Sequence, residues 1–324
     1  MVNSAVILGG NGRFGRAAAQ AFRNEGWSVR SVVRPGKANS PSDVECDAED
    51  KDALAKAVTG ADVIVHALNP PYTDWADKLP VLTDAVLHAA RTSGATVLIP
   101  GNVYNFGREI PPLVSESTPQ IPSIRKGALR IAMEDSFRAA KDVQTIVLRG
   151  GDYIEGKDTG NWFESYLTRD VSKGRFMYPG KADVDHAWAY LPDMARAAAQ
   201  LADMRLGLPQ FTDILFPGYT LTGQALQAHI ESAIGRPLKR RKMPWILLRA
   251  ISPFSRMMRE VLEMRYLWNT PHRLDGAKFN GLLPDFQPTP VAEVMTGIFA
   301  HGGTMSAQTS QWSDASRMSA SVKP

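Results

Sequence analysis

The residues best suited to chemistry stand at the start of the chain. The apolar run Val6-Ile7-Leu8 meets three glycines spaced Gly9-x-x-Gly12-x-x-Gly15, and the Ala-rich segment 16–26 then reads as a helix. Strand, glycine turn and helix start, in that order, make a cradle for a pyrophosphate. The first glycine turns the chain, the second lets backbone approach the phosphates, and the third lets helix and strand pack closely. Gly9, Asn11, Gly12, Arg13, Phe14 and Gly15 are therefore the candidate contacts to a dinucleotide. A strand expected over 28–33 ends at Arg34-Pro35-Gly36-Lys37, where an NAD site would place a carboxylate against the ribose 2′-OH. A guanidinium there pairs instead with a 2′-phosphate, so the expected cofactor is NADP rather than NAD. Asp47 either meets the adenine edge or caps the helix expected over 51–58. The strand expected over 62–67 leaves the sheet through Ala67-Leu68-Asn69-Pro70-Pro71-Tyr72, because successive prolines continue neither strand nor helix. That exit puts Ala67 and Asn69 beside the cofactor and Tyr72 beside a substrate.

A second group lies further on. Asn102 and Tyr104 sit in the polar and aromatic turn Gly101-Asn102-Val103-Tyr104-Asn105-Phe106-Gly107, at the carboxyl end of a strand expected over 95–100. The helix expected over 125–141 carries Lys126, Arg130 and Glu134 at four-residue spacing, on one face. Lys126 would lie in the first turn, near Arg125 and Arg130. A positive helix end and adjacent cations favour its neutral form and suit it to moving a proton, and Lys126 is also a candidate contact to the cofactor. Asn102 and Tyr104 would then orient the oxygen that gains charge. The alternative is a solvated ladder of charges on an amphipathic helix. Asp152 and Tyr153, after the strand expected over 144–149, are further substrate candidates. His186 either meets substrate or ties a loop to the sheet. No cluster has metal-ligand spacing, and no Ser-centred nucleophile motif occurs.

Alternating strands and helices across the first half predict a doubly wound parallel sheet of the Rossmann type, an α/β fold with right-handed crossovers. The expected organisation is a dinucleotide-binding core over 1–150, then a smaller substrate-binding part over 151–300. Residues 184–217 of that second part complete the core, and a disordered tail follows over 301–324. A methionine-rich helical stretch over 245–266, broken near Ser252-Pro253, is expected to pack as helices or to line an apolar pocket. The 324 residues are 44% hydrophobic and 22% charged, as a globular protein with a sizeable core requires. The net charge of +4 is too modest to suggest nucleic acid, and Lys239-Arg240-Arg241-Lys242 reads as a solvated strand or loop. The single cysteine, Cys46, forbids an intrachain disulfide, and with no signal peptide the expected location is cytoplasmic. No membrane association is expected, since the apolar run Trp245-Ile246-Leu247-Leu248 meets Arg249 at once. The expected partner is a small-molecule substrate, with a homodimer left open.

These strings together resemble the short-chain dehydrogenase/reductase superfamily, in particular its extended NAD-dependent epimerase/dehydratase members. The resemblance rests on the glycine motif, Asp47, the turn 101–107, the segment His186 to Asp193, and Asp275 to Pro284 with Lys278 and Leu282. It implies hydride chemistry on a nicotinamide cofactor. The superfamily's catalytic pair is Tyr-x-x-x-Lys with an assisting hydroxyl. Here the corresponding positions hold Lys126-x-x-x-Arg130, and Asn102 replaces the hydroxyl. The segment Lys126-Gly127-Ala128-Leu129-Arg130-x-x-Met133-Glu134 is similar to isoflavone-reductase-like enzymes, which implies a lysine in the catalytic role. The leading expectation is an NADP-dependent oxidoreductase acting on a small carbonyl or conjugated substrate. The alternatives are a nucleotide-sugar epimerase or dehydratase and a non-catalytic NADP redox sensor.

Overall fold

The computed structural model describes residues 2–156 and 160–300. The tail expected over 301–324 lies outside the described residues. In chain order the strands are β1 Ser4–Leu8, β2 Ser28–Val33, β3 Asp43–Glu45, β4 Val63–His66, β5 Thr96–Gly101, β6 Leu113–Val114, β7 Thr145–Arg149, β8 Asp152–Ile154, β9 Arg175–Tyr178, β10 Asp185–Tyr190, β11 Phe211–Leu215, β12 Tyr219–Thr222, β13 Lys239–Lys242 and β14 Arg273–Leu274. The helices are α1 Arg13–Asn24, α2 Lys51–Ala57, α3 Trp75–Ser93, α4 Arg125–Ala139, α5 Leu191–Asp203, α6 Gly223–Ile234, α7 Trp245–Ile251, α8 Arg256–Glu263, α9 Ala277–Leu282 and α10 Val291–Phe299.

Seven strands form one parallel sheet in the order β11-β7-β5-β4-β1-β2-β3. The middles of its central strands are apolar runs because helices cover both faces. One face packs Ile7, Val65 and Leu148 under Phe14, Ala18 and Phe22 of α1 and the alanines of α5. The other packs Val6, Ile64, Val97 and Val147 under α2, α3 and α4. The expected doubly wound α/β fold is thus present, with β11 completing the sheet from beyond residue 150.

Local chemistry sets the helix ends. The Asp50 carboxylate accepts from the N–H groups of Asp52 and Ala53 and so caps α2. The Thr222 hydroxyl caps α6 at Ala225, and Gly235 closes that helix at φ 67°. A second layer stands over the carboxyl edge of the sheet, around β8, β10 and β12, with β10 parallel to β8 and antiparallel to β12. This layer carries an aromatic core of Phe163, Phe176, Tyr178, Trp188 and Trp268.

Candidate active site

The glycine turn is built as its spacing requires. Gly9 has φ 79°, and a Cβ there would lie 2.9 Å from the Ala67 carbonyl oxygen. A Cβ on Gly15 would lie 2.2 Å from the Gly9 carbonyl oxygen, well inside contact distance. The Gly12 N–H closes the turn onto Gly9 O at 2.8 Å. Arg16 N–H then donates to Gly12 O. The N–H groups of Arg13, Phe14 and Gly15 therefore precede the first bond of the α1 ladder. No side chain caps this end, and no acidic residue occupies its first turn. Three free donors, a positive helix end and no Cβ in the way fit an anionic diphosphate.

Asn11 joins this turn to the loop after β2. Its Nδ2 donates to Lys37 O at 2.7 Å, and its Oδ1 accepts from Asn39 Nδ2 at 3.0 Å. Arg34 is exposed at the end of β2, with no carboxylate partner among the described residues. The nearby acid, Glu45, is spent on the loop: its carboxylate accepts from Ala38 N–H at 3.2 Å. Backbone donors at Gly36 and Ala38 hold that carboxyl below its ordinary range. Asp47 does not cap α2, because Asp50 does, and Asp47 instead accepts from Glu49 N–H at 3.0 Å. Beyond β4, Ala67 is buried against Gly9 and Asn69 is exposed.

A pair of phenols meets from two segments, Tyr104 in the turn after β5 and Tyr72 in the segment after β4. The Asn102 side-chain oxygen accepts from Tyr104 N–H at 2.9 Å, fixing the turn. The Tyr104 hydroxyl lies 3.1 Å from that of Tyr72. Burial pushes both phenols up, Tyr104 the further because Tyr72 and Asp152 add to it. Both therefore keep their protons at neutral pH. The charges of Arg13 and Arg130 both draw the Tyr72 and Tyr153 phenols down, against the larger upward push of burial.

The face of α4 that carries Lys126, Arg130 and Glu134 is buried, which overturns the reading of a solvated charge ladder. The expectation that cations dominate around Lys126 also fails. Its Nζ engages the carboxylates of Glu260 and Glu263 on α8 and lies 5.1 Å from the Tyr72 ring centroid. Glu134 does not pair with Arg130. It binds Arg149 at 2.8 Å and accepts from Asn105 at 3.0 Å, while Arg149 also reaches Asp213 at 2.7 Å. Arg130 donates to Pro100 O at 2.7 Å and leaves Nε without a partner. Desolvation and the Arg149 charge lower its pKa, and burial beside Arg130 pulls His66 down to about 3.

His186 is enclosed. Its Nε2 lies 2.8 Å from Asp152 Oδ2, and its ring stacks 4.5 Å from that of Trp268. It therefore joins β10 to β8 through Asp152. The structure thus brings Asn102, Tyr104, Tyr72 and Lys126 together and holds His186 against Asp152 and Trp268. Sequence reasoning missed Glu260, Glu263, Arg149 and Trp268. Of these only the two glutamates left a signal, as the first acids after a long basic stretch.

A family model described as NAD(P)H-binding matches residues 9–165. No curated protein matches the chain in sequence. Solved structures match nearly its whole length. The UDP-N-acetylglucosamine 4-epimerase from Bacillus cereus is 14% identical, covers 93% of this chain and 98% of its own, and has a TM-score of 0.73. The Bordetella bronchiseptica enzyme WbmH in complex with NAD+ is 17% identical over 94% of this chain and 100% of its own, at 0.70. The UDP-glucose 4-epimerase from Brucella ovis in complex with NAD is 15% identical over 91% of this chain and 96% of its own, at 0.69.

Proposed function

We propose, from the premise that residues 9–165 are an NAD(P)H-binding domain within an extended short-chain dehydrogenase/reductase fold, that this chain is an NADP-dependent oxidoreductase of small carbonyl or conjugated substrates. The observation that carries the reading is an uncapped glycine cradle in a chain that also holds a hydrogen-bonded pair of protonated phenols. The cofactor, when bound, supplies or accepts a hydride. The free N–H groups of Arg13, Phe14 and Gly15 would hold its diphosphate. Arg34, with no acid against it, would hold a 2′-phosphate, and Asp47 remains available to the adenine edge.

Tyr104 Oη is the group placed to donate a hydrogen bond, or a proton, to a substrate oxygen. Its raised pKa suits a donor and not a phenolate base. Tyr72 orients that hydroxyl, and Asn102 fixes the turn beneath it. Lys126 becomes a positioning residue, fastening α8 over the Tyr72 ring. Tyr153 and Asp152 would shape the substrate side.

Tyr104→Phe is expected to lower kcat by about a hundredfold with little change in NADPH affinity, as loss of a positioned proton donor does. Turnover within threefold of wild type would remove Tyr104 from the chemistry. Arg34→Asp is expected to shift the NADPH-to-NADH affinity ratio by ten- to a hundredfold toward NADH, about the worth of a charge-assisted contact. An unchanged ratio would sink the 2′-phosphate assignment. One observation favours a second reading, a non-catalytic NADP sensor: Lys126 is committed to two carboxylates. NADPH binding without NADPH consumption across a panel of aldehydes, ketones and enones would support it. Turnover of a nucleotide-sugar would favour the epimerase class suggested by the structural likenesses.

A further inference from the structure

The hairpin of α7 and α8 presents apolar side chains that the fold does not use. Ile246 is 89% exposed and Phe254, in the turn between the helices, 91%. Leu247 and Ile251 are also exposed. No residue of α7 or of the turn Ser252–Phe254 is buried, so the expected packing of this stretch as core helices does not hold for its first half. Ile246, Leu247, Ala250 and Ile251 share one helix face. The hairpin is held in shape all the same. Arg259 donates to the carbonyls of Ser252 and Pro253 at 3.2 and 3.1 Å. Trp245 donates to Pro179 O at 2.6 Å, and Arg265 stands 5.4 Å over its ring. The fold thus fixes an apolar tip in an outward position.

Charge marks what covers that tip. Residues 232–259 hold eight Lys and Arg and no Asp or Glu. The whole chain nets only +4, so the rest of it is net acidic. Strand β13 is exposed at all four residues and leads through Met243 and Pro244 into α7. Arg249 lies within α7, and Arg256 opens α8. None of these eight cations forms an ion pair among the described residues. An apolar wedge bordered by unpaired cations is complementary to an anionic lipid surface. The side chains enter below the headgroups, and the ammonium and guanidinium groups meet the phosphates. No helix among the described residues is long and apolar enough to cross a membrane. We propose that the α7–α8 hairpin, with β13, docks this protein onto the surface of an anionic bilayer.

The test is cosedimentation of the full chain with vesicles of phosphatidylcholine alone and of phosphatidylcholine mixed with phosphatidylglycerol. The expected result is binding to the mixed vesicles only, released by raised salt. A double variant, Ile246→Ser with Phe254→Ser, should weaken that binding about tenfold or more, from the apolar burial it forgoes. Arg249→Glu with Arg256→Glu should weaken it comparably, and both variants should keep wild-type Tm and NADPH affinity. Three results would overturn the proposal. The wild type could stay in the supernatant with both vesicle types. The variants could bind as the wild type does. Light scattering could show the apolar variant dissociating a dimer with no vesicle binding by the wild type, which would make the face a contact between two copies of this chain.

Discussion

Gly15→Ala is expected to weaken NADPH binding by about a hundredfold, the order of loss that a displacement near 1 Å causes at a positioned site. The added Cβ would stand 2.2 Å from the Gly9 carbonyl oxygen and 2.9 Å from its carbon. Both are backbone atoms of the turn, so no side chain can swing away. Relief requires α1 to move from β1, which takes the N–H groups of Arg13, Phe14 and Gly15 with it. Overpacking of this kind costs about 1–3 kcal/mol, so Tm should fall by several degrees as well. Gly207→Ala is the control, since a Cβ there meets nothing within 4 Å. Isothermal titration with NADPH and thermal denaturation of both variants decide the matter. Wild-type affinity in Gly15→Ala would mean that the cradle does not bind the diphosphate.

The second large effect belongs to Glu134. Its carboxylate and the Arg149 guanidinium are both fully enclosed, with Asp213 and Asn105 completing the set. Removing one member of a buried pair leaves the other charged in a poor solvent and costs about 3–5 kcal/mol. Glu134→Gln should therefore destabilise the fold by about 3 kcal/mol, the low end, because Asp213 still partners Arg149. The pH dependence is a separate check. Burial alone would raise the Glu134 pKa, but the charge and hydrogen bonds of Arg149, aided by Arg130 and Asn105, bring it below its ordinary value. A carboxyl depressed in the folded state contributes stability that is complete above its unfolded pKa. That contribution is lost as pH falls through the folded value. Urea midpoints measured from neutral pH down into the acid range should thus fall in the wild type and fall less in Glu134→Gln. Parallel acid limbs would show that Glu134 carries no such linkage.

The legible parts of this molecule were those decided by short stretches. Six of the seven sheet strands were readable because the middles of β1, β4, β5 and β7 are buried on both faces and are apolar there. The glycine turn was readable because three close approaches fall within seven residues. The basic strand at 239–242 was placed correctly, since four successive charges leave little choice but solvent. Strands β3, β8 and β9 escaped notice because three or four residues carry too little periodicity. Their partners are also supplied from elsewhere, as when β8 finds β10. Asp47 and Asp50 both stood near the start of α2, and only the backbone decided that Asp50 caps it. Lys126 shows the limit most clearly. Its local neighbours are cations, but its decisive partners lie 134 and 137 residues away. Spacing along one helix reports which side chains share a face, not what faces them.

Asn11 gives the nucleotide site a thermodynamic character of its own. Its side chain bonds Lys37 and Asn39, and its carbonyl oxygen takes Arg16 Nη1 at 2.6 Å. The turn beneath the diphosphate and the loop that presents Arg34 are fastened to one another by this residue. A ligand bridging the two meets a surface already assembled, so the conformational entropy of ordering a loop has been met during folding instead of at association. Binding energy from the phosphates is then expressed as affinity rather than consumed in arranging the protein.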